Sequence, residues 1–255
     1  MALSKVKACA LAPLLLLAGC SAFFQFNLFK GLDKPPAPKA SDYEGQGGLA
    51  KLANDLSSPA VVAQLKADPT TTQEIETYLA TTYLSAPLTT PDQQQAAALY
   101  GDLNLKTTSG DQFVNNLVDI VMSGASGGKT IQQILQGIVP ASVASDPTAF
   151  SNMVGGFLAA EAAYQLLGAS VPPSPAGVNM GDVAQKAAVA WTMQLAVNAI
   201  IASGVPDTPT AEAQMYALLN NQPNSISGVI VPDPFSFPPA WLSNIFTAAG
   251  AKMPS

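Results

Sequence analysis

Pro91 to Val121 reads PDQQQAAALYGDLNLKTTSGDQFVNNLVDIV, and the spacing within it decides the fold. Thr90 places a capping hydroxyl just before Pro91, and Pro suits the first helical position because its missing N–H has no helical partner to lose. Apolar residues then recur at three- and four-residue spacing, as Ala98, Leu99, Leu103 and Leu105, and again as Phe113, Leu117, Ile120 and Val121. This is the period of a helix, not the alternation of a strand. The spacing predicts helices over 91–107 and 110–123, with Asp92 and Asp111 as first-turn acids favoured by the helix dipole.

The same punctuation recurs outward along the chain. Ser58-Pro59, Ser145-Asp146-Pro147 and Thr208-Pro209 repeat the cap-then-proline device. Further helices are expected over 49–56, 59–67, 71–85, 129–139, 147–168, 180–203, 209–220 and 239–250. The β-branched run Ile226 to Val231 is the one strand candidate, and a lone strand makes no sheet. The expected fold is therefore all-α, with antiparallel helical hairpins forming a bundle or a short α-solenoid. The 91–123 pair resembles a tetratricopeptide-like unit in length and polarity, with Tyr100 and Gly101 fitting that pattern loosely. No second copy recurs at a fixed period. Ala187 to Ile201 is unusually apolar, with Gln194 and Asn198 four residues apart. It reads either as a membrane span or ligand-lining stripe, or as a central core helix; its length and polar content favour the core.

Composition removes many chemistries. All eleven basic residues are Lys, and the chain has neither Arg nor His. Without Arg there is no bidentate fork for phosphate or carboxylate. Without His, the usual general base and the commonest metal ligand are both missing. From Cys20 onward nine Lys face seventeen acids, a net charge near −8. Such a chain lacks the basic stripe that nucleic acid requires. The carboxylates Glu74, Glu76, Asp102, Asp111 and Asp119 lack calcium-loop spacing, so no metal and no cofactor is expected.

The N-terminus carries an address. Lys5 and Lys7 precede an apolar run of about ten residues, Ala8 to Leu17, as in a secretory signal. The run is too short to span a membrane. Leu17-Ala18-Gly19-Cys20 resembles the lipobox of bacterial lipoproteins. That resemblance implies cleavage before Cys20 and acylation of its thiol, with Ser21, rather than Asp, implying release to the outer membrane in a Gram-negative host. Residues 1–19 are then a signal peptide, and 20–48 a lipidated start and tether before an all-helical domain over 49–255. With Cys9 removed and Cys20 acylated, no disulfide is available and the core alone must stabilise the domain. Phe23, Phe24, Phe26 and Phe29 are expected at the membrane interface beside the acyl chains. Lys30 to Gly48 is rich in Pro, Lys and Gly; at about 3 Å per residue it reaches on the order of 50 Å.

Three stretches of the domain invite functional readings. Ser123 to Thr130 ends in Gly128-Lys129-Thr130 like a phosphate-binding loop, but Ser123 stands where the first Gly is needed. An interhelical turn is expected there, and no nucleotide. Glu161 lies in the apolar FLAAEAAYQLL, where burial could raise its pKa and suit it to general-acid work on cell-wall glycans. In lytic transglycosylases such a Glu is followed by Ser, whereas Ala162 follows here. The favoured reading pairs Glu161 with Lys186. In the Pro-rich Gln222 to Pro239, Phe235 and Phe237 either face a partner or strap across a groove with their rings buried.

The expected function is a membrane-anchored, non-enzymatic envelope protein that binds another envelope protein. Its alternatives are a carrier of an apolar small molecule or lipid, and a glycosidase using Glu161. A Cys20→Ser chain is expected to lose incorporation of radiolabelled palmitate and to leave the membrane fraction. Continued labelling and sedimentation with membranes would overturn the anchor.

Overall fold

Pro stands in the first turn of five of the helices, and at four of them a side chain (Asp68, Thr90, Asp146 or Asp207) accepts a freed backbone amide, whereas Ser58 makes no such bond. The computed structural model describes residues 36–122, 130–136, 138–170, 175, 177–226 and 228–253. The compact unit described below begins at Pro38. Among the described residues there are eleven α-helices: α1 Gly48–Leu56, α2 Pro59–Ala67, α3 Pro69–Thr82, α4 Pro91–Thr107, α5 Gly110–Met122, α6 Ile131–Leu135, α7 Ala141–Ala144, α8 Pro147–Ala169, α9 Met180–Ala202, α10 Thr208–Leu219 and α11 Ala240–Ala248. The fold is all-α, as the periodicity predicts.

Local chemistry explains the boundaries. Thr90 accepts from the Gln93 amide at 3.2 Å while Gln93 Oε1 accepts from the Thr90 amide at 3.1 Å, a reciprocal capping box. Asp146 accepts from the amides of Thr148 and Ala149. At the start of α10 the cap is Asp207, accepting from Thr210 N at 2.8 Å, so the expected cap Thr208 is the first helical residue instead. Asp68 caps α3 in the same way, two residues ahead of the expected start. The Ile226 to Val231 run makes one isolated antiparallel bridge, Thr130 to Ile230, and no sheet.

The tether expected to reach residue 48 ends earlier. Ala40–Tyr43 form a 3₁₀ turn, and Tyr43 is fully buried with its hydroxyl donating to Asp55 at 3.0 Å. The reason is physical: an aromatic ring in a Gly-rich, polar stretch still gains by burial against Leu49, Leu52 and Leu56.

Two hydrophobic clusters meet at α4. The smaller joins Tyr43 and α1–α3 to Ala96, Leu99 and Leu103 of α4. The larger takes Ala97, Ala98 and Leu105 from the other side of the same helix and extends through α5, α8, α9, α10 and α11. Helix α8 lies at its centre and packs on α4, α9, α10 and α11. Its main partner is α4, far away in sequence, whereas a solenoid unit contacts only its neighbours. The hairpins therefore form a bundle around α8.

Glycines make that bundle close. A Cβ on Gly101 of α4 would sit 2.5 Å from Tyr164 Cζ, and one on Gly156 of α8 would sit 2.4 Å from Thr108 Oγ1. Since 101 meets 164 and 108 meets 156, α4 and α8 run antiparallel. Gly168 approaches the Trp241 carbonyl of α11, where a Cβ would come within 2.2 Å of that oxygen. Helix α9 is the core helix of the expectation. Val183, Ala187, Val197 and Ile200 are buried, while Gln194 bonds Asn198 at 2.9 Å on its outer side. Among the described residues, no helix is long and apolar enough to cross a membrane.

Gly168→Ala is expected to destabilise the domain by about 1–3 kcal/mol, because backbone rather than a flexible side chain must give way. Phe157→Ala, deleting a fully buried ring, is expected to cost about 3–5 kcal/mol. Urea unfolding followed by circular dichroism measures both; unchanged midpoints would show that α8 is not the centre of the core.

Candidate functional site

A cleft of about 650 Å³ opens where the two hydrophobic clusters diverge. One wall is α2 and α3 with Lys66, Thr72, Gln73 and Glu76; the other is α7, α8 and α10 with Ser142, Ser151, Asn152 and Glu212. The C-terminal end of α4 and the Thr108-Ser109 turn close one side, and Gly155 and Gly156 of α8 form part of the floor. A Cβ on Gly155 would meet nothing within 4 Å.

Several lining groups are already engaged. Thr72 Oγ1 donates to the Leu65 carbonyl, Thr107 Oγ1 to Leu103, and Thr108 Oγ1 to Asn104. Lys66 Nζ donates to Ser109 Oγ, and Ser151 Oγ donates to a Glu212 carboxylate oxygen. Ser109 is buried with φ of 68°, a backbone region that non-glycine residues seldom occupy. Glu76 is half-buried, and burial raises its carboxyl pKa. Its charge also helps raise the pKa of Tyr100, after the larger effect of burial.

A second polar cluster links α4 to α9, with Lys186 buried and Asp182 half exposed. Lys186 is 7 % exposed and pairs with Asp102, and at 2.6 Å with Asp182. Lys106 reaches the other oxygen of Asp102 at 3.3 Å. Burial works against the Lys186 charge, but the attraction of Asp102 and the hydrogen bonds to both carboxylates leave its pKa above the ordinary lysine value. Tyr164 is fully buried beside this cluster, and its hydroxyl lacks a hydrogen-bond partner. Burial, then the charges of Asp102 and Asp182, push its pKa up. Two acids and two bases balance here, which is the arrangement of a structural ion network.

The expected Glu161–Lys186 pair is not made. Lys186 is taken by Asp102 of α4 and by Asp182, one turn earlier on its own helix α9. Glu161 is 8 % exposed, with its pKa raised by burial, and it lines neither the 650 Å³ cleft nor the two smaller ones of about 460 and 310 Å³. The raised pKa anticipated for it is present; the open cleft that general-acid work requires is not beside it.

Phe235 and Phe237 part company. Phe235 is buried, edge-on to Phe246 at 6.1 Å, so it belongs to the core and not to an exposed aromatic pair. Phe237 is 93 % exposed. The Asp233 carboxylate accepts from the Phe235 amide and the Ser236 hydroxyl, and the Trp191 indole donates to the Pro234 carbonyl at 3.3 Å. That turn sends the two rings to opposite sides. Beside Phe237 a shallow cleft of about 310 Å³ is lined by Trp191, Leu195, Pro232 and Pro234.

Other expected features fall outside the described residues: Cys20, Phe23, Phe24, Phe26, Phe29 and the Gly-rich 123–129. Thr130, the last residue of that stretch, is the cap of α6 and accepts from the Gln133 amide. The polar cleft itself went unread in the sequence, because Glu76, Ser151, Asn152 and Glu212 come from three separate helices. One signal could have pointed to it. Gly155-Gly156 in the middle of an otherwise strong helix is unfavourable by propensity and so marks a close approach or an open space.

Lys186→Met is expected to destabilise the domain by about 1–2 kcal/mol, since Asp102 loses its buried partner while keeping Lys106, and Asp182 turns to solvent. Glu161→Gln should stabilise slightly at neutral pH. A carboxyl whose folded pKa is raised gives its stability below the ordinary value of 4.5 and loses it as pH rises through the raised one. The advantage of Gln should therefore vanish below that value, as checked by denaturant midpoints across pH. No protein family matches the chain, and neither a curated protein nor a solved structure shows significant similarity to it.

Proposed function

We propose that this chain is a lipid-anchored envelope protein acting as a non-enzymatic adaptor or complex subunit, held at Cys20 and binding another protein through its folded unit. In a Gram-negative cell it would face the periplasm from the outer membrane. The observation that carries the reading is the contrast between interior and surface. The enclosed apolar cavity between Phe113, Met193 and Met215 measures only about 10 Å³, room for one water at most. The outer face, by contrast, carries a polar cleft of about 650 Å³ and the exposed ring of Phe237.

The two alternatives meet specific obstacles. A carrier of a lipid or other apolar molecule needs an apolar cavity of roughly 300–1,000 Å³. A glycosidase working through Glu161 needs that carboxyl in a cleft, and it lies outside the clefts named above. The absence of Arg and His supports binding over catalysis in the same direction.

Affinity isolation of the tagged full-length chain from cross-linked envelopes, with mass spectrometry of proteins and lipids together, tests the reading. A near-stoichiometric envelope protein is the expected result. Recovery of the chain alone with one defined lipid or apolar compound would overturn the adaptor and favour a carrier.

A further inference from the structure

We propose that the polar cleft holds an extended segment of the partner protein by its backbone, with a Lys or Arg side chain of that segment paired with Glu76. The inference rests on the protein-binding reading above and names the site and the chemistry of its occupant.

The lining decides among ligand classes. No aromatic ring borders the cleft among the described residues, so the stacking by which sugars and bases are commonly held is missing. Its one cation, Lys66, already donates to Ser109, and the chain has no Arg or His to receive an anion. What remains is two carboxylates and several side-chain amides. Glu212 is held by Ser151, whereas Glu76 has no hydrogen bond or ion pair among the described residues. Counting Lys66, Glu76 and Glu212, the cleft is left with one uncompensated negative charge. A cation from outside complements it.

The same walls suit a peptide backbone. Gln73 and Asn152 each offer both a donor and an acceptor, and neither side chain uses them among the described residues; an amide side chain of this kind pairs with a backbone N–H and C=O together. At the floor, Gly155 has open space where a Cβ would stand, so a chain can pass close over α8. The burial that disfavours the Glu76 charge in the free protein would be offset when a guanidinium or ammonium group arrives. The volume lies in the range of specific ligand sites.

Gly155 also supplies the cleanest test. Gly155→Leu projects into the cleft from a position where a Cβ meets nothing within 4 Å, and it replaces a helix-interior glycine with a good helix former, so the variant should be at least as stable as the parent. A random dodecapeptide library is panned on the immobilised chain lacking its signal peptide, and enriched peptides are remade with a fluorophore for anisotropy titration. Enriched peptides are expected to carry Lys or Arg, to bind more weakly as salt rises, and to lose about tenfold in affinity on Glu76→Gln and more on Gly155→Leu.

Peptides without a basic residue, or peptides that bind both variants as tightly as the parent, would overturn the proposal. Binding of chitohexaose that Gly155→Leu abolishes would overturn it too, in favour of a glycan site. Failure here stays distinct from failure of the adaptor reading. An envelope protein captured equally well by the parent and by Gly155→Leu keeps the adaptor and removes its site from the cleft.

Discussion

The antiparallel contact of α4 with α8 is the constraint on which the rest of the unit depends. Each helix contributes one glycine to it, Gly101 beneath the Tyr164 ring and Gly156 against Thr108 and the Asn104 carbonyl. Removing a Cβ at both places brings two backbones into a contact that Leu or Ile at either position would forbid. Helix α4 then lies sunken between two apolar layers, with Ala96, Leu99 and Leu103 serving one cluster and Ala97, Ala98 and Leu105 the other. A helix apolar on two sides has no single wet face to orient it; only the presence of α8 on one side and α1–α3 on the other does so.

Charge is placed to suit that arrangement. The chain has few ionic groups, and Asp102, Lys106, Asp182 and Lys186 concentrate four of them where α4 meets α9. Such a partly buried network adds little net stability compared with an apolar patch of the same volume, but a helix slipped by one turn would leave the buried Lys186 without Asp102. The network therefore disfavours other registers of α4 against α9. Caps do comparable work at the surface, where Asp68, Thr90, Asp146, Asn179 and Asp207 each accept the first free amides of a helix.

The cleft follows from the same geometry. Helices α2 and α3 pack on α4 from one side and α8 from the other, so beyond the C-terminal end of α4 nothing fills the space between them. Its polar lining comes mainly from the outer faces of α3, α8 and α10, while Leu65 and Val143 reach it from the two clusters. A surface groove of this origin leaves the core filled and yet offers a recess for another chain, which is the combination that supports an adaptor over a carrier.

Most of the helices are legible locally, because capping and 3.6-residue spacing lie within a few residues of what they control, although the short α7 is not and α6 is shorter than its pattern. Thr90-Pro91 and Asp146-Pro147 start helices where they stand, and Ala187 to Ile201 could be read as core from its own composition. Tertiary structure decided the rest. Whether Lys186 meets Glu161 or Asp102 depends on which face α8 turns to α9, and residues 84 apart in the chain carry no mark of that choice. Tyr43 looked like tether until α1 supplied a surface to bury it. Phe235 and Phe237 look equivalent on paper and differ only because the turn at Asp233 points one ring inward. Glu76, Asn152 and Glu212 share a cleft solely because three helices converge, and convergence is a property of packed helix faces that no local pattern encodes.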